Sequence, residues 1–390
     1  MARDISLTRA AAILGTLLGA LLDAGCKESV APTPITVTGV SPAIGAGFLH
    51  TCGLASTGAA SCWGDNSKGQ VGSDPIGSLI LIPVAVSGGR TFSALAAGWT
   101  HNCGLTSAGA AYCWGDNSTG QLGNGSTSNS STPVPVSGAL SFNALALGAG
   151  YSCGLTSAGA DYCWGDNSIG QLGNGSTTSS STPVAVFGGL SFNALATGGA
   201  HSCALTSTGA AYCWGYNAYG QLGNGSTTSS STPVAVSGGL SFSALALGGH
   251  LSCGLTSAGA AYCWGYNAYG ELGNGSTTNT LTPVAVSGGL SFSHITTGGG
   301  HTCGLTNAGA AYCWGYNAYG ELGNGSTTNS LTPVAASGGL SFSGITTGDG
   351  HTCGITAAGA AYCWGYNGYG QLGNSLGGDS SVPVAVFRWP

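Results

Sequence analysis

The chain has 390 residues, of which only 5% are charged, and its formal net charge is −6; an average soluble domain carries about 25% charged residues. So little Lys and Arg excludes a general nucleic-acid role, which needs a clustered basic footprint. Its 73 glycines would read as disorder in a non-periodic chain, but 43% of the residues are hydrophobic and recur in register, so a packed core is feasible.

Residues 1–26 stand apart from the rest. Arg3 and Arg9 precede an apolar run, Ala10 to Leu22, that is too short for an ordinary transmembrane helix, and Ala24 and Gly25 supply small residues before Cys26. The pattern resembles a bacterial lipoprotein signal with Cys26 as the lipidated first residue, although Asp23 stands where a lipobox has Leu. Cleavage as an ordinary signal peptide near Gly25 is the alternative. Residues 27–36 (KESVAPTPIT) read as a polar, Pro-containing tether, and residues 37–390 as the folded domain.

From there one unit recurs seven times, marked by the pairs Cys52/Cys62, Cys103/Cys113, Cys153/Cys163, Cys203/Cys213, Cys253/Cys263, Cys303/Cys313 and Cys353/Cys363. The first cysteine returns every 50 residues from Cys103 onward, and the first interval is 51. A fixed period of this length is the mark of a repeat architecture. Of 15 cysteines only Cys26 is unpaired; an oxidising compartment explains the pairs and lipidation the remainder.

Within the sixth copy, His301–Thr306 and Ala311–Gly315 are short alternating runs around Asn307-Ala308-Gly309. A three-residue loop with Gly at its left-handed position is a common hairpin connection. That register sets Cys303 opposite Cys313 at a non-hydrogen-bonded position, where opposed Cα atoms come closest, and so predicts a cross-strand disulfide in every copy. The C-x9-C spacing lacks the C-x2-C clusters and His pairs of zinc modules, and seven equivalent catalytic thiols would be redundant. A long loop follows, from Tyr316 to Ser326 and into a Ser/Thr-rich stretch. Next comes a strand beginning at Pro333; the internal Pro135 of the second copy demotes that strand to a sheet edge, hence outermost. Leu340–Thr347 then gives a turn and an innermost strand.

Four strands per unit, seven times over, predict an all-β fold, a seven-bladed β-propeller with four-stranded blades. The seventh copy stops after Phe387 without its inner strand, while a matching piece, Val40–Gly47, precedes the first cysteine pair. One blade is therefore expected to be assembled from both termini, closing the ring through N- and C-terminal strands; an open solenoid would want capping repeats.

The consensus H-x-C-[GA]-L-T-x-x-G-x-x-Y-C-W-G-x-N-x-x-G-[QE]-L-G, over roughly residues 40–387, resembles the regulator of chromosome condensation repeat, a seven-bladed propeller family. The resemblance implies that fold. Nucleotide exchange on a nuclear GTPase, known for the founding member, transfers to no residue of this chain. A secreted bacterial branch, which includes a β-lactamase inhibitor that binds its target with one face, is the nearer analogy.

Strand parity puts the inner-to-second and third-to-outer loops on one face and the S-A-G turns on the other. Compared between copies, the S-A-G face is nearly uniform, whereas the first face varies. There the larger residues Asp349, Phe48, Trp99 and Tyr151 fall on neighbouring blades of the closed ring. At the W-G-x-N position, copies one to three carry Asp65, Asp116 and Asp166; the last four copies carry Tyr216, Tyr266, Tyr316 and Tyr366, each with a second tyrosine three residues on, Tyr219, Tyr269, Tyr319 and Tyr369. Such an arc is the rigid amphipathic area that binding surfaces use; packing of the second tyrosines, or recent duplication, would produce it as well. His50, His101, His201, His301 and His351 resemble a metal or acid–base ring. Tyr151 and Leu251 occupy the same position in other copies, so each His is expected to satisfy backbone groups of its own blade. Asp116–Gly120 resembles a calcium loop, but four copies replace the Asp by Tyr, so no metal is implied there, and no cofactor anywhere.

The expected function is a cell-surface or secreted binding module, not an enzyme. It would recognise an extracellular or envelope protein or glycan through the variable-loop face, as a monomer reaching the membrane only through a lipid anchor. The alternatives are a structural envelope or matrix protein, a propeller lyase or hydrolase acting on an extracellular polymer, and exchange-factor-like activity by family analogy. So few titratable residues disfavour the enzyme.

Overall fold

Alternating runs around glycine turns drive each copy into antiparallel hairpins. In the computed structural model, which describes residues 43–389, twenty-eight strands form seven four-stranded sheets. The protein is thus an all-β seven-bladed propeller. Cys26, the tether and the start of the folded region as read from sequence lie outside the described residues.

In blade 1 the strands are β1 (Ala43–Ala46), β2 (His50–Leu54), β3 (Ala60–Asp65) and β4 (Leu79–Ala85), hydrogen-bonded in that order. Blades 2 to 7 repeat the plan over residues 94–135, 142–185, 192–235, 244–285, 292–335 and 342–385. The hairpin register is the expected one: Leu305 opposes Ala311, Gly304 opposes Tyr312 and Cys303 opposes Cys313. Gly309 closes the turn at φ +79°, with its N–H on the Thr306 carbonyl at 2.9 Å.

The seven expected disulfides all form, one inside each blade. They are Cys52–Cys62, Cys103–Cys113, Cys153–Cys163, Cys203–Cys213, Cys253–Cys263, Cys303–Cys313 and Cys353–Cys363, with Cα atoms 4.0 to 4.1 Å apart. Both partners of every pair are completely buried, Cys62, Cys113, Cys163, Cys263 and Cys363 among them. These cysteines therefore brace the blade interior rather than contributing to a ligand site. Each bridge closes a short loop, worth about 2–3 kcal/mol of unfolded-state entropy.

Every sheet consists of four consecutive strands, so no blade exchanges strands between the termini: β1 pairs with β2 inside blade 1. The sequence unit was phased from the cysteine hairpin, one strand later than the blade itself. What the C-terminus contributes to blade 1 is a side chain. In blades 2 to 7 a phenylalanine at or just ahead of the start of the inner strand stacks toward the blade's tryptophan, and in all of these except blade 4, which has Ala204 there, it covers a strand glycine, as Phe292 does over Gly304 and against Trp314 at 5.8 Å. Blade 1 has no such phenylalanine. Trp389 covers Gly53 instead, meets Trp63 edge-on at 5.8 Å, and donates its indole N–H to the Gly359 carbonyl at 2.7 Å. That carbonyl corresponds to Gly309 O, which takes the Phe342 N–H.

The core lies in the seams between blades. Each W-G-x-N tryptophan is completely buried against apolar residues of the preceding blade, which for Trp63, Trp114, Trp264, Trp314 and Trp364 include its disulfide; Trp264 clusters with Cys203, Leu205, Cys213 and Leu222. Its indole N–H reaches back to the Gln221 backbone carbonyl at 2.9 Å, and that carbonyl also accepts Ser252 Oγ at 2.8 Å. The histidines belong to this system. Their partners are on the next blade rather than their own: His101 Nε2 meets Ser152 Oγ, His301 Nε2 meets Thr352 Oγ1, and His351 Nε2 meets Thr51 Oγ1 across the closing seam, each at 2.8 Å. Burial pushes His101, His201, His301 and His351 down to about 3. They are neutral spacers of the ring.

Candidate binding face

In all seven blades the residue after W-G donates its backbone N–H to the loop just ahead of the second strand, as Asp65 does to Leu49 O at 2.9 Å and Tyr316 to Gly300 O at 2.8 Å. This bond ties the two variable loops of each blade together on one face. Around the axis the inner loops are also joined blade to blade: Phe48 N–H meets Trp99 O at 3.2 Å, and Gly249 N–H meets Gly298 O at 3.2 Å.

Phe48 and Trp99, both half-buried, touch at 4.8 Å between ring centroids. With Asp349 they rim a depression of about 180 Å³ at the mouth of the ring, lined otherwise by glycine, alanine and threonine and by Leu147 and Leu247. Tyr151 does not join them. It is wholly buried, its hydroxyl donating to the His201 carbonyl and accepting from Ser202 Oγ at 3.0 Å. It stands at the seam-histidine position, the first residue of its strand, and does the same bridging work with a longer side chain. Tyr151 is therefore core and not part of a binding surface.

The tyrosines form two runs of touching rings. Tyr216, Tyr219 and Tyr266 are linked at 6.1 and 5.1 Å, and Tyr269, Tyr316, Tyr319, Tyr366 and Tyr369 at 5.0, 6.3, 4.8 and 6.3 Å in turn. Tyr269 and Tyr319 are the most exposed, at 43% and 42%. Sequence reading missed His250, whose ring lies 5.2 Å from Tyr219 and 6.4 Å from Tyr266. It is exposed, and only its difference from the Leu, Thr, Gly or Ala of the other copies marks it.

Blades 1 to 3 solve the same position differently. Asp65 accepts from Ser67 Oγ at 2.8 Å and Gln70 Nε2 at 2.7 Å, and Asp116 and Asp166 repeat this with Ser118/Gln121 and Ser168/Gln171. The calcium-like Asp116 loop thus uses its carboxylate on its own loop. Where tyrosine replaces Asp, Gln221 Nε2 and Gln371 Nε2 lose that partner. Blades 5 and 6 carry Glu271 and Glu321 instead, a [QE] alternation visible in the motif but not taken up from sequence. Both are 0% exposed and lie with Asp349 beside a cleft of about 370 Å³ walled by the tyrosines of blades 5 to 7. Desolvation raises the carboxyl of Glu271, that of Glu321 to about 7 and that of Asp349 to about 6.

Comparison with known proteins gives concordant matches. The profile of the RCC1-like domain matches residues 14–340, and regulator of chromosome condensation (RCC1) repeat profiles match residues 342–371 and 358–388. The probable E3 ubiquitin-protein ligase HERC4 of Rattus norvegicus is 36% identical over 90 residues, which is 20% of this chain and 8% of that protein. Its Homo sapiens counterpart is 34% identical over 82 residues, again 20% and 8%. The chain thus matches less than a tenth of the length of these curated relatives. Among solved structures, human WBSCR16 superposes with a TM-score of 0.76 at 24% identity, covering 85% of this chain and 94% of that one. Yeast RCC1 (Prp20), solved bound to Kap60, gives 0.75 at 22% identity over 84% and 83%. These likenesses are of fold.

Proposed function

The chain belongs to the RCC1-like domain family, propellers that act as protein-interaction modules, and on that premise we propose that it binds a protein outside the cytoplasm through its tyrosine-bearing loop face. The observation that carries this is the run of touching tyrosine rings from Tyr269 to Tyr369, with Tyr269 and Tyr319 open to solvent on a rigid scaffold. Tyrosine supplies a large amphipathic contact area at low entropic cost. Relatives in fold are described with protein partners: yeast RCC1 with Kap60, and Prp20p of Saccharomyces cerevisiae with Gsp1p and histones. Family analogy favours a protein over a glycan; Phe48, Trp99 and Asp349 extend the same face toward the axis.

Seven disulfides support an oxidising compartment, and no helix among the described residues is long and apolar enough to cross a membrane. A lipid on Cys26 remains our proposal for how the protein is held. Against an acid–base enzyme stand the buried, neutral seam histidines, which have no access to a substrate.

The test is capture. The protein, immobilised, is exposed to envelope and secreted proteins of its source, beside a Tyr269→Ala/Tyr319→Ala variant with an unchanged melting curve. Truncated aromatic anchors typically cost about 2 kcal/mol or more, so the variant should lose a specific partner by at least ten-fold. Equal capture by both proteins would mean that the wrong face has been chosen.

A further inference from the structure

Five blades place glutamine before the buried leucine or valine of G-[QE]-[LV]-G, and its Oε1 accepts the backbone N–H two residues earlier, as Gln121 does from Thr119 and Gln371 from Tyr369. Glu271 and Glu321 keep that bond with one oxygen, taking the N–H of Tyr269 at 2.9 Å and of Tyr319 at 3.0 Å. Their second oxygens, Oε1 in both, are buried and have no hydrogen-bond partner. A buried carboxylate oxygen without a donor is a costly group that needs an explanation.

Both orphans belong to residues lining one cleft, formed by blades 5, 6 and 7 with Leu49 of blade 1. Its walls are tyrosine rings, among them Tyr266, Tyr316 and Tyr319, and Asp349 enters from blade 7. Small residues hold the cleft open. A Cβ on Gly299 would collide with Asp349 Oδ1, and one on Gly350 would sit 3.8 Å from Glu321 Oε1. Three acidic side chains and several aromatic faces therefore converge on a space that no Lys or Arg of the described residues lines. Desolvation raises all three carboxyls, as burial without a compensating positive charge does.

We propose that this cleft is a receptor for an N–H-bearing organic cation, the guanidinium of an arginine or the ammonium of a lysine presented by a protein partner. The identity of the source rests on the binding face proposed above. The rings attract a cation over their faces. The orphan oxygens go further, because they require donors: guanidinium and ammonium bring charge-assisted N–H groups to carboxylates, arginine with fork geometry. A quaternary ammonium would satisfy the rings and leave both oxygens unpaired.

The experiment uses the full, disulfide-bonded protein and three probes, followed by NMR titration: acetyl-Gly-Arg-Gly-amide, its citrulline counterpart, and tetramethylammonium. The arginine peptide should bind saturably and at least ten-fold more tightly than either of the others. A Glu271→Gln/Glu321→Gln variant, which installs the residue that the other five blades carry, should melt like the parent and lose at least ten-fold in affinity for the arginine peptide. No saturable binding, equal binding of tetramethylammonium or of the citrulline peptide, or undiminished affinity in a folded double variant each overturns the proposal. Should the double variant fail to fold, the selectivity of the parent protein decides alone. Because the probes are small molecules, this result stands apart from partner capture. Capture without cation selectivity removes the cleft and keeps the face; selectivity without capture does the reverse.

Discussion

Blades 1 to 3 and blades 4 to 7 are built on one scaffold and finished in two ways. In the first set a carboxylate turns inward on its own loop, so that Asp65, Asp116 and Asp166 are each consumed by a neighbouring serine and glutamine. In the second set a tyrosine stands at that place, the rings of Tyr266, Tyr316 and Tyr366 each meet the second tyrosine of the preceding blade, and the polar group beneath goes unpaired. The first arrangement is self-sufficient, the second is not. A surface that has left its own polar atoms unsatisfied is the better candidate to meet something else.

The comparison presumes that the seams are alike in both sets, and the largest effects test that presumption. Trp164→Ala in blade 3 and Trp314→Ala in blade 6 remove equally buried indoles with the same partner type, a backbone carbonyl of the preceding blade at 2.9 and 2.8 Å. Each should cost about 3–5 kcal/mol, and their melting temperatures should fall together. A large difference between the two would show that the halves differ in scaffold and not only in finish.

A smaller effect concerns a defect peculiar to blade 3. Asp161 occupies a strand position that is alanine in the other six blades, is 4% exposed, and has no hydrogen-bond partner for either oxygen. Desolvation raises its carboxyl to about 7 in the folded protein. Since this value is raised above the unfolded one, the folded state holds the proton more tightly. The folded protein is therefore favoured below about pH 4, and that advantage is lost as pH rises through about 7, by up to about 4 kcal/mol. Asp161→Ala should raise the melting temperature at pH 8 and flatten this part of its pH dependence. An unchanged pH profile would mean that the carboxylate finds water or a partner.

The smallest effect converts one finish into the other. Tyr216→Asp in blade 4 places a carboxylate where Gln221 Nε2 is unpaired. It should gain about 1 kcal/mol of stability while removing a ring from the arc. Residue 218 is alanine where blades 1 to 3 have serine, so only one of the two loop bonds can form. A loss of stability in denaturant melts would show that the tyrosine packs more than it presents.

The fold was legible because each local signal agreed with the others in seven copies. The glycine turn of residues 307–309 fixed the register that sets Cys303 against Cys313, and the same arithmetic set Cys62, Cys113, Cys163, Cys263 and Cys363 against their own partners. Pro135 marked the outer strand. Legibility failed where a role is set between blades. The partner of a seam histidine lies about 50 residues away on the next blade, so an assignment within its own blade was the natural one and the wrong one. Tyr151 misled for the same reason, a large aromatic in a variable neighbourhood that happens to sit at the seam position. Strand membership at closure failed because the repeat has no intrinsic starting point, and a unit phased one strand late exchanges a strand on paper that the molecule keeps. Glu271 and Glu321 were visible letters without visible meaning, since a glutamine-to-glutamate exchange matters only when the aspartate that would have bonded it is gone.

The residue before the buried leucine has two independent lives. Its main-chain carbonyl is gripped by the indole and hydroxyl of the following blade, as Glu321 O is by Trp364 Nε1 at 2.8 Å and Thr352 Oγ1 at 3.0 Å, and any amino acid offers that carbonyl. Its side chain belongs to the loop face. The mortar of the ring is thus indifferent to the letter that faces outward, so copies can drift or be exchanged in surface chemistry without renegotiating how they stack. For an engineer the blades become interchangeable tiles: a new recognition surface can be written seven times around a circle, one tile at a time, while the circle itself stays closed.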